Sequence, residues 1–345
     1  MMTDLLREID GKVFIIAEIG CNHNGDMAIA KELIDRSIEC GVDAVKFQSF
    51  NPQKMTTANA PKADYQIKAT GTSESQYSRL SRMQLTSDDH YMLLDYCRKK
   101  DIQFISSPFD KESVILLEEL GVPFFKVPSG EITNIPLLSQ IGSLAKPVIL
   151  STGMSNLGEI ELALKAIGHR NVVLLHCISE YPAKWEEANL RAISTLQNAF
   201  KLPVGFSDHT VGIELPLVAI GLGAVVIEKH ITLDRKMEGG DHKASLEPED
   251  FKNLVQKIRK LETALGDGIK RCMPSEVNVK LVARKSIVLN RTVKKGKKIN
   301  INDLAFKRPG TGISPADWER IVNSVAKEDL SPDHPLIWAQ ILFEE

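Results

Sequence analysis

With 345 residues and 43% hydrophobic content, the chain can bury the core of a barrel-sized domain and still have length for a small second one. A net charge of −2, with lysine and arginine mixed among acids, excludes the basic footprint of a nucleic-acid or anionic-membrane binder and directs attention to a small-molecule ligand. The five cysteines are odd in number and widely spaced without a CxxC pair, which argues against a disulfide framework and against a zinc-thiolate site.

Residues 1–10 are acidic and lack an apolar h-region, and no apolar run approaches the length of a membrane span, so a soluble cytoplasmic protein without membrane contact is expected. A first strand over Val13–Gly20 leads into an amphipathic helix over Met27–Cys40, and a second strand covers Ala44–Gln48. The polar stretch from Ser49 to about Ser87 is the longest break in the alternation and reads as a loop over the barrel mouth, placed to carry substrate contacts. Helices over Ser87–Lys99 and Lys111–Leu120 then flank a strand over Phe104–Phe109. Strands follow at Phe124–Glu131, Val148–Gly153 and Val172–Cys177, with helices at Leu157–Ile167 and Glu186–Phe200. Two last strands, Val204–His209 and Ala224–His230, enclose an apolar segment containing Gly212, Gly221 and Gly223, which is a strand, crossover, strand unit.

Eight such alternations within about 250 residues match a (β/α)8 TIM barrel, whose strand C-termini converge on one face. An open doubly wound sheet would place G-x-G-x-x-G after its first strand, and Glu18–Gly25 has the wrong glycine spacing for it. A closing helix over Glu249–Leu265 stops at Gly266-Asp-Gly268 and gives way to a polar bridge. Residues 1–265 therefore read as the barrel, 266–282 as a linker and 283–345 as a compact domain of short strands and turns. The first of those strands is expected at Ser286–Leu289, and the domain's slight helix signal falls at Ser314–Asn323.

Polar residues gather at the strand ends in three chemical groups. Lys46, Lys126, Ser129-Gly130, Ser151-Thr-Gly153 and Ser207 suit a phosphate, because lysine supplies charge and small turns let amides and hydroxyls approach closely. His209 and His230 close neighbouring strands. One such histidine would most simply cap its strand, but two in succession, each beside an acid, favour a shared divalent cation with Asp208, Glu228 or Asp241 as oxygen ligands. Glu18, Glu131, Glu228 and Asp241 are candidates for proton transfer. Together these groups call for an anionic phosphorylated substrate and a metal-polarised carbonyl or water, a demand that phosphoenolpyruvate and an aldehyde meet.

The strings Ala17-Glu-Ile-Gly-Cys-Asn-His-Asn-Gly25, Val45-Lys-Phe-Gln48, Lys126-Val-Pro-Ser-Gly-Glu131, Leu150-Ser-Thr-Gly-Met154, Phe206-Ser-Asp-His209, Ile227-Glu-Lys-His230 and Lys307-Arg-Pro-Gly310 resemble the bacterial sialic acid synthase family. That family includes N-acetylneuraminate synthases and their legionaminate and pseudaminate relatives, and the similarity runs from about Val13 to about Asp333. The resemblance implies a metal-dependent barrel followed by a C-terminal antifreeze-like (SAF, β-clip) domain. Such enzymes condense phosphoenolpyruvate with an N-acetylated mannosamine-type sugar, releasing phosphate and a nine-carbon 2-keto-3-deoxy acid.

By position in these motifs, His209 and His230 would bind Mn2+ or Mg2+. Lys46, Lys126, Ser129, Ser151, Ser179 and Ser207 would hold phosphoenolpyruvate. Glu18, Lys46 and Glu228 would be the catalytic groups, while Gln48, Tyr181, Glu228 and Asp241 would face the sugar. Arg308 would reach a partner subunit's site in a domain-swapped homodimer. Three positions depart from the family pattern: Gly240 replaces a common proline, Thr311 a common asparagine, and Ile178-Ser179 two polar residues. A barrel enzyme condensing phosphoenolpyruvate with a sugar phosphate would need a second phosphate pocket, and no spare arginine cluster at the strand ends supplies one. A non-catalytic sugar- or ice-binding protein would not need His209, His230 and Lys126 together.

Overall fold

A computed structural model describes residues 11–71, 74–169 and 171–343. The acidic opening stretch 1–10 lies outside them. The chain divides into two units, Met1–Gly266 and Asp267–Glu345.

The first unit alternates strands and helices. Strands β1 (Phe14–Gly20), β2 (Ala44–Ser49), β3 (Gln103–Pro108), β4 (Phe125–Val127), β5 (Val148–Ser151), β6 (Val172–Cys177), β7 (Val204–Asp208) and β8 (Val226–His230) form one parallel sheet in the order 3-2-1-8-7-6-5-4. Because β1 pairs with both β2 and β8, the sheet curls into the expected barrel, with β3 and β4 as neighbours that share no ladder.

Eight helices surround it: α1 (Met27–Cys40), α2 (Ser87–Lys99), α3 (Lys111–Glu119), α4 (Ile135–Ser143), α5 (Leu157–Ile167), α6 (Ala192–Phe200), α7 (Glu214–Gly221) and α8 (Pro248–Leu265). Their ends are chemically marked. Asp26 caps α1 by accepting from the amide of Ala28 at 2.7 Å, and Gly41 ends it in the left-handed region at φ +81°. Thr86 with Asp89 and Asn156 with Glu159 form reciprocal capping boxes on α2 and α5. Helix α1 buries Ala30, Leu33, Ile34, Ser37 and Cys40, a stripe of helical period set against the barrel, and each large apolar side chain so covered contributes about 2 kcal/mol. Where a loop was expected between β2 and α2, three short helices occur at Pro52–Met55, Asp64–Thr70 and Gln76–Met83. The strand expected to run on to Glu131 stops at Val127, because Ser129–Glu131 turns into a 3-10 segment.

The second unit is built of β9 (Ser286–Leu289) paired antiparallel with β10 (Leu304–Lys307), and β11 (Val325–Ala326) with β12 (Ile341–Leu342). Ile287, Leu289, Ile299, Ile313, Ile321 and Leu336 form its core. The segment read as a polar bridge contains a helix, Val277–Ala283, and the helix signal near Ser314 resolves into a 3-10 turn, Pro315–Asp317, and one helical turn, Trp318–Ile321. Among the described residues no helix is long and apolar enough to cross a membrane.

Candidate active site

Side chains along each barrel strand alternate between the helix layer and the interior. The interior series changes from apolar to polar toward the strand C-termini. Phe14 and Ile16 precede Glu18, Ala44 precedes Lys46, Phe124 precedes Lys126, Ile149 precedes Ser151, and Val226 precedes Glu228 and His230. The lower residues plug the barrel; the upper ones line a cavity of about 320 Å³ at its C-terminal face. In β7 the interior residue below Ser207 is Gly205, where a Cβ would lie 2.4 Å from the carbonyl oxygen of Val226. A larger hollow of about 640 Å³ opens at the opposite end of the barrel. There Lys12 is already paired with Asp43 at 2.7 Å, and Arg98 donates to the Leu120 carbonyl.

Two lysines and two carboxylates are buried together in the upper cavity. Lys46 Nζ lies 2.6 Å from Glu18 Oε2 and 3.8 Å from Glu228 Oε2, and it donates to Ser107 Oγ at 3.1 Å. Lys126 Nζ lies 3.4 Å from Glu228 Oε1 and donates to Ser151 Oγ at 2.8 Å. Ser207 Oγ donates to Glu228 Oε1 at 2.9 Å, and Gln48 Nε2 to Glu18 Oε1 at 3.2 Å. Burial pushes the Glu18 carboxyl up to about 7 against the pull of Lys46. Glu228 is equally buried, yet Lys126, Lys46 and the Ser207 hydroxyl outweigh that burial and hold it below the usual carboxylate range. Burial alone would lower both lysines; it prevails at Lys126, whereas Glu18 and Glu228 raise Lys46. The cavity thus holds one carboxyl poised to carry a proton near neutrality beside one that stays ionised.

Small residues shape the adjoining rim. The Gly153 amide donates to Ser129 Oγ at 3.0 Å. A Cβ on Gly153 would stand 2.3 Å from Ser179 Oγ and 2.9 Å from Ser129 Oγ, so glycine is what allows the two hydroxyls to converge. Ser129, Gly130, Ser151 and Ser179 therefore border the same cavity as the lysines.

His209 and His230 stand with ring centroids 5.5 Å apart, and the Tyr181 ring packs on His209 at 4.0 Å. His209 Nδ1–H donates to the Ile178 carbonyl at 2.6 Å, which fixes the tautomer and leaves Nε2 with its lone pair. Burial keeps both imidazoles neutral, the His230 pKa being well below the ordinary value, and the buried Nδ1 of His230 has no hydrogen-bond partner. Neutral imidazoles fit a divalent cation, with His230 Nδ1 unpartnered and His209 Nε2 meeting only Ser207 Oγ at 3.4 Å. Among the described residues no group of three or more His, Cys, Asp or Glu side chains could hold a metal ion, so such a cation would take its remaining ligands from water and substrate oxygens.

Thirteen of the residues named from the sequence border this one cavity: Glu18, Lys46, Gln48, Lys126, Ser129, Gly130, Ser151, Ser179, Tyr181, Ser207, His209, Glu228 and His230. Others do not. Asp208, read as an oxygen ligand, points into the helix layer and pairs with Lys229, since it alternates with the inward Ser207. Glu131 lies in the turn after β4 and accepts from Asn134 Nδ2 at 2.7 Å. Thr152 donates its hydroxyl to the Leu175 carbonyl. Asp241 is buried beside Tyr65 and Tyr181 without lining the cavity, and Arg308 belongs to the second unit, exposed, with Nε donating to the Ala283 carbonyl at 2.9 Å. Ser107, Tyr65, Gln76 and Cys177 line the cavity without having been singled out. Ser107 and Cys177 carried a signal, each as an inward position at a strand end.

Comparison with known proteins places this geometry. The model of the NeuB family matches residues 33–270, and that of the SAF domain residues 284–342. The chain belongs to the NeuB family. Within it, a Campylobacter jejuni protein named N,N'-diacetyllegionaminic acid synthase is 48% identical over 327 residues, covering 93% of this chain and 98% of that one. A Legionella pneumophila protein of the same name is 45% identical over 335 residues, covering 95% and 94%. The solved structure of N-acetylneuraminic acid (sialic acid) synthetase from Leptospira borgpetersenii, in complex with citrate, superposes with a TM-score of 0.69 at 35% identity, covering 78% of this chain and 90% of that one. In this NeuB-family chain the strings Val45–Gln48, Lys126–Glu131, Leu150–Met154, Phe206–His209 and Ile227–His230 lie within the matched residues, and each contributes to the cavity lining.

Proposed function

We propose that this chain condenses phosphoenolpyruvate with 2,4-diacetamido-2,4,6-trideoxymannose and water, giving N,N'-diacetyllegionaminate and phosphate. The observation that carries the reading is the buried quartet of Lys46, Lys126, Glu18 and Glu228, two cations for a substrate with two anionic groups and two carboxyls whose proton affinities are shifted in opposite directions. The choice of sugar rests on the two relatives named above.

Lys46 and Lys126, with Ser129, Ser151, Ser179 and Ser207, bind the phosphate and carboxylate and hold C3 of phosphoenolpyruvate toward the open-chain aldehyde. The C2–C3 π pair forms the new bond to the aldehyde carbon, and C2 becomes cationic. Glu228, ionised between the lysines, faces that charge. Water adds at C2 and gives up a proton, and cleavage of the C2–O bond releases phosphate and leaves the ketone; Glu18 carries protons between the water and the sugar oxygen. Gln48 and Tyr181 orient the sugar, and Asp241, buried beside Tyr181, positions that ring. Mn2+, or Mg2+ in its place, held by His209 and His230, would supply Lewis-acid polarisation of the aldehyde oxygen. The reaction takes place in the cytoplasm.

Phosphate release measured with Mn2+ and each sugar in parallel tests this. The diacetamido sugar is expected to exceed N-acetylmannosamine by roughly tenfold or more in kcat/KM, and EDTA to stop turnover until Mn2+ is restored. Metal-dependent release with neither sugar would remove the condensation reading altogether.

The active unit is proposed to be a domain-swapped homodimer in which Arg308 of one subunit contacts the sugar in the other. Its support is the SAF-domain match spanning Arg308 and that residue's exposed guanidinium. Mixing Arg308→Ala and His209→Ala subunits should restore about a quarter to a half of the wild-type rate, since mixed dimers then hold one intact site. Mixtures no more active than either parent would end the proposal of exchange.

A further inference from the structure

The helix Gln76–Met83 carries two polar side chains whose buried atoms have no partner. Arg79 is 4% exposed, its Nε meets no acceptor, and among the described residues no ion pair reaches its guanidinium. Gln76 Oε1 is likewise buried without a donor. Gln76 lines the cavity, and Arg79, three residues further along, occupies the same face of the helix.

A buried guanidinium without an acceptor is costly, and so is an amide oxygen without a donor. Arg79 is not screened into the solvent, and its electrostatic neighbours are Cys21, Asp241, Tyr65 and Glu74. Tyr65 stacks on Tyr181 at 5.2 Å, and Tyr181 in turn on His209 at 4.0 Å. Arg79 therefore stands near Tyr65, two aromatic rings from His209, and is not itself among the residues that line the cavity. Space there depends on Gly240, because a Cβ at that position would lie 3.3 Å from Gln66 Cγ and 3.7 Å from Arg79 Nη2.

The two open valences define the ligand. One is a donor and the other an acceptor, which is the complement of a secondary amide. A phosphate or carboxylate would be repelled by Gln76 Oε1, and a lone hydroxyl would satisfy the two only in part. We propose that Arg79 and Gln76 form a specificity subsite for an acylamino group on the acceptor sugar, Arg79 donating to the amide carbonyl and Gln76 accepting from the amide N–H. The inference rests on the condensation proposed above, and the group concerned is the C4 acetamido group, where N-acetylmannosamine has a hydroxyl.

The experiment compares wild type, Arg79→Met and Gln76→Leu in the holoenzyme with the two sugars, reading the ratio of their kcat/KM values. Each variant should narrow that ratio by roughly 10- to 100-fold, while KM for phosphoenolpyruvate moves little. Calorimetric Kd values for the diacetamido sugar and an analogue with a C4 hydroxyl give the same comparison without turnover. Arg79→Met withdraws the guanidinium from buried Asp241, so its thermal midpoint should fall modestly, whereas Gln76→Leu removes no charge and should keep its midpoint. A ratio and Kd difference unmoved in both variants, or a lowered midpoint with an unmoved ratio, would make these residues structural and overturn the subsite while leaving the reaction standing. A wild-type preference for N-acetylmannosamine would overturn the assigned group. Turnover of neither sugar would instead overturn the reaction on which the subsite rests.

Discussion

Lys126→Met should lower kcat/KM for phosphoenolpyruvate roughly 10³-fold while the barrel stays folded. Methionine keeps most of the length and packing of the lysine stem and removes only the cation. That cation sits 2% exposed, donates to Ser151 Oγ at 2.8 Å and lies 3.4 Å from Glu228 Oε1. In so dry a site a positive group facing developing negative charge on the departing phosphate is worth far more than it would be in water. Stopped assays of phosphate release across phosphoenolpyruvate concentrations separate KM from kcat. A loss under about tenfold would mean that Lys46 alone suffices and that Lys126 is a structural partner of Glu228.

Removing Lys126 also leaves Glu228 with weaker compensation, since Lys46 Nζ is the more distant cation at 3.8 Å. The double variant Lys126→Met with Glu228→Gln isolates that effect. If the two residues act as a unit, the double variant should be little worse than either single change, because each already disables the same step.

Much of the barrel could be read from the sequence because local signals and tertiary demands agree there. Met27–Cys40, Ser87–Lys99, Leu157–Ile167 and Val172–Cys177 have the bounds expected from period and capping. Helix α7 was harder. Glu214–Gly221 is apolar on nearly every side, so it has no polar face from which a helical period could be recognised. The strand ends disclosed the cavity for a related reason: a lysine or glutamate on the interior parity of an otherwise apolar strand has nowhere to go but the barrel mouth. The same parity places Asp208 outside, a distinction that composition at a strand end cannot make without the register to Ser207 and Glu228. Gln76 and Arg79 were illegible. In a polar stretch an arginine reads as solvated surface, and only folding of the helix Gln76–Met83 over the mouth buries it.

Asp208→Asn should destabilise the barrel by about 3–5 kcal/mol, the cost of leaving a buried cation without its counterion. Lys229 and Asp208 have fully buried side chains, with Nζ 2.5 Å from Asp208 Oδ2 and also donating to the Thr210 carbonyl. Asp208 Oδ1 further accepts from the amide and hydroxyl of Thr210, at 2.9 and 2.8 Å. Asparagine keeps the volume and one acceptor but not the charge. Burial already pulls the Lys229 pKa down against the attraction of Asp208, and without that attraction the ammonium has only a carbonyl to face. Urea unfolding at neutral pH, followed through the barrel transition, reads the change directly. The companion variant Asp208→Leu with Lys229→Met should recover most of the loss, because apolar residues of similar volume need no counterion. A loss below about 1 kcal/mol in Asp208→Asn, or a double variant as weak as the single, would show that water or main-chain groups carry the ammonium instead. Because His209 directly follows Asp208 and His230 directly follows Lys229, this outer pair also anchors the strand ends from which both imidazoles project inward.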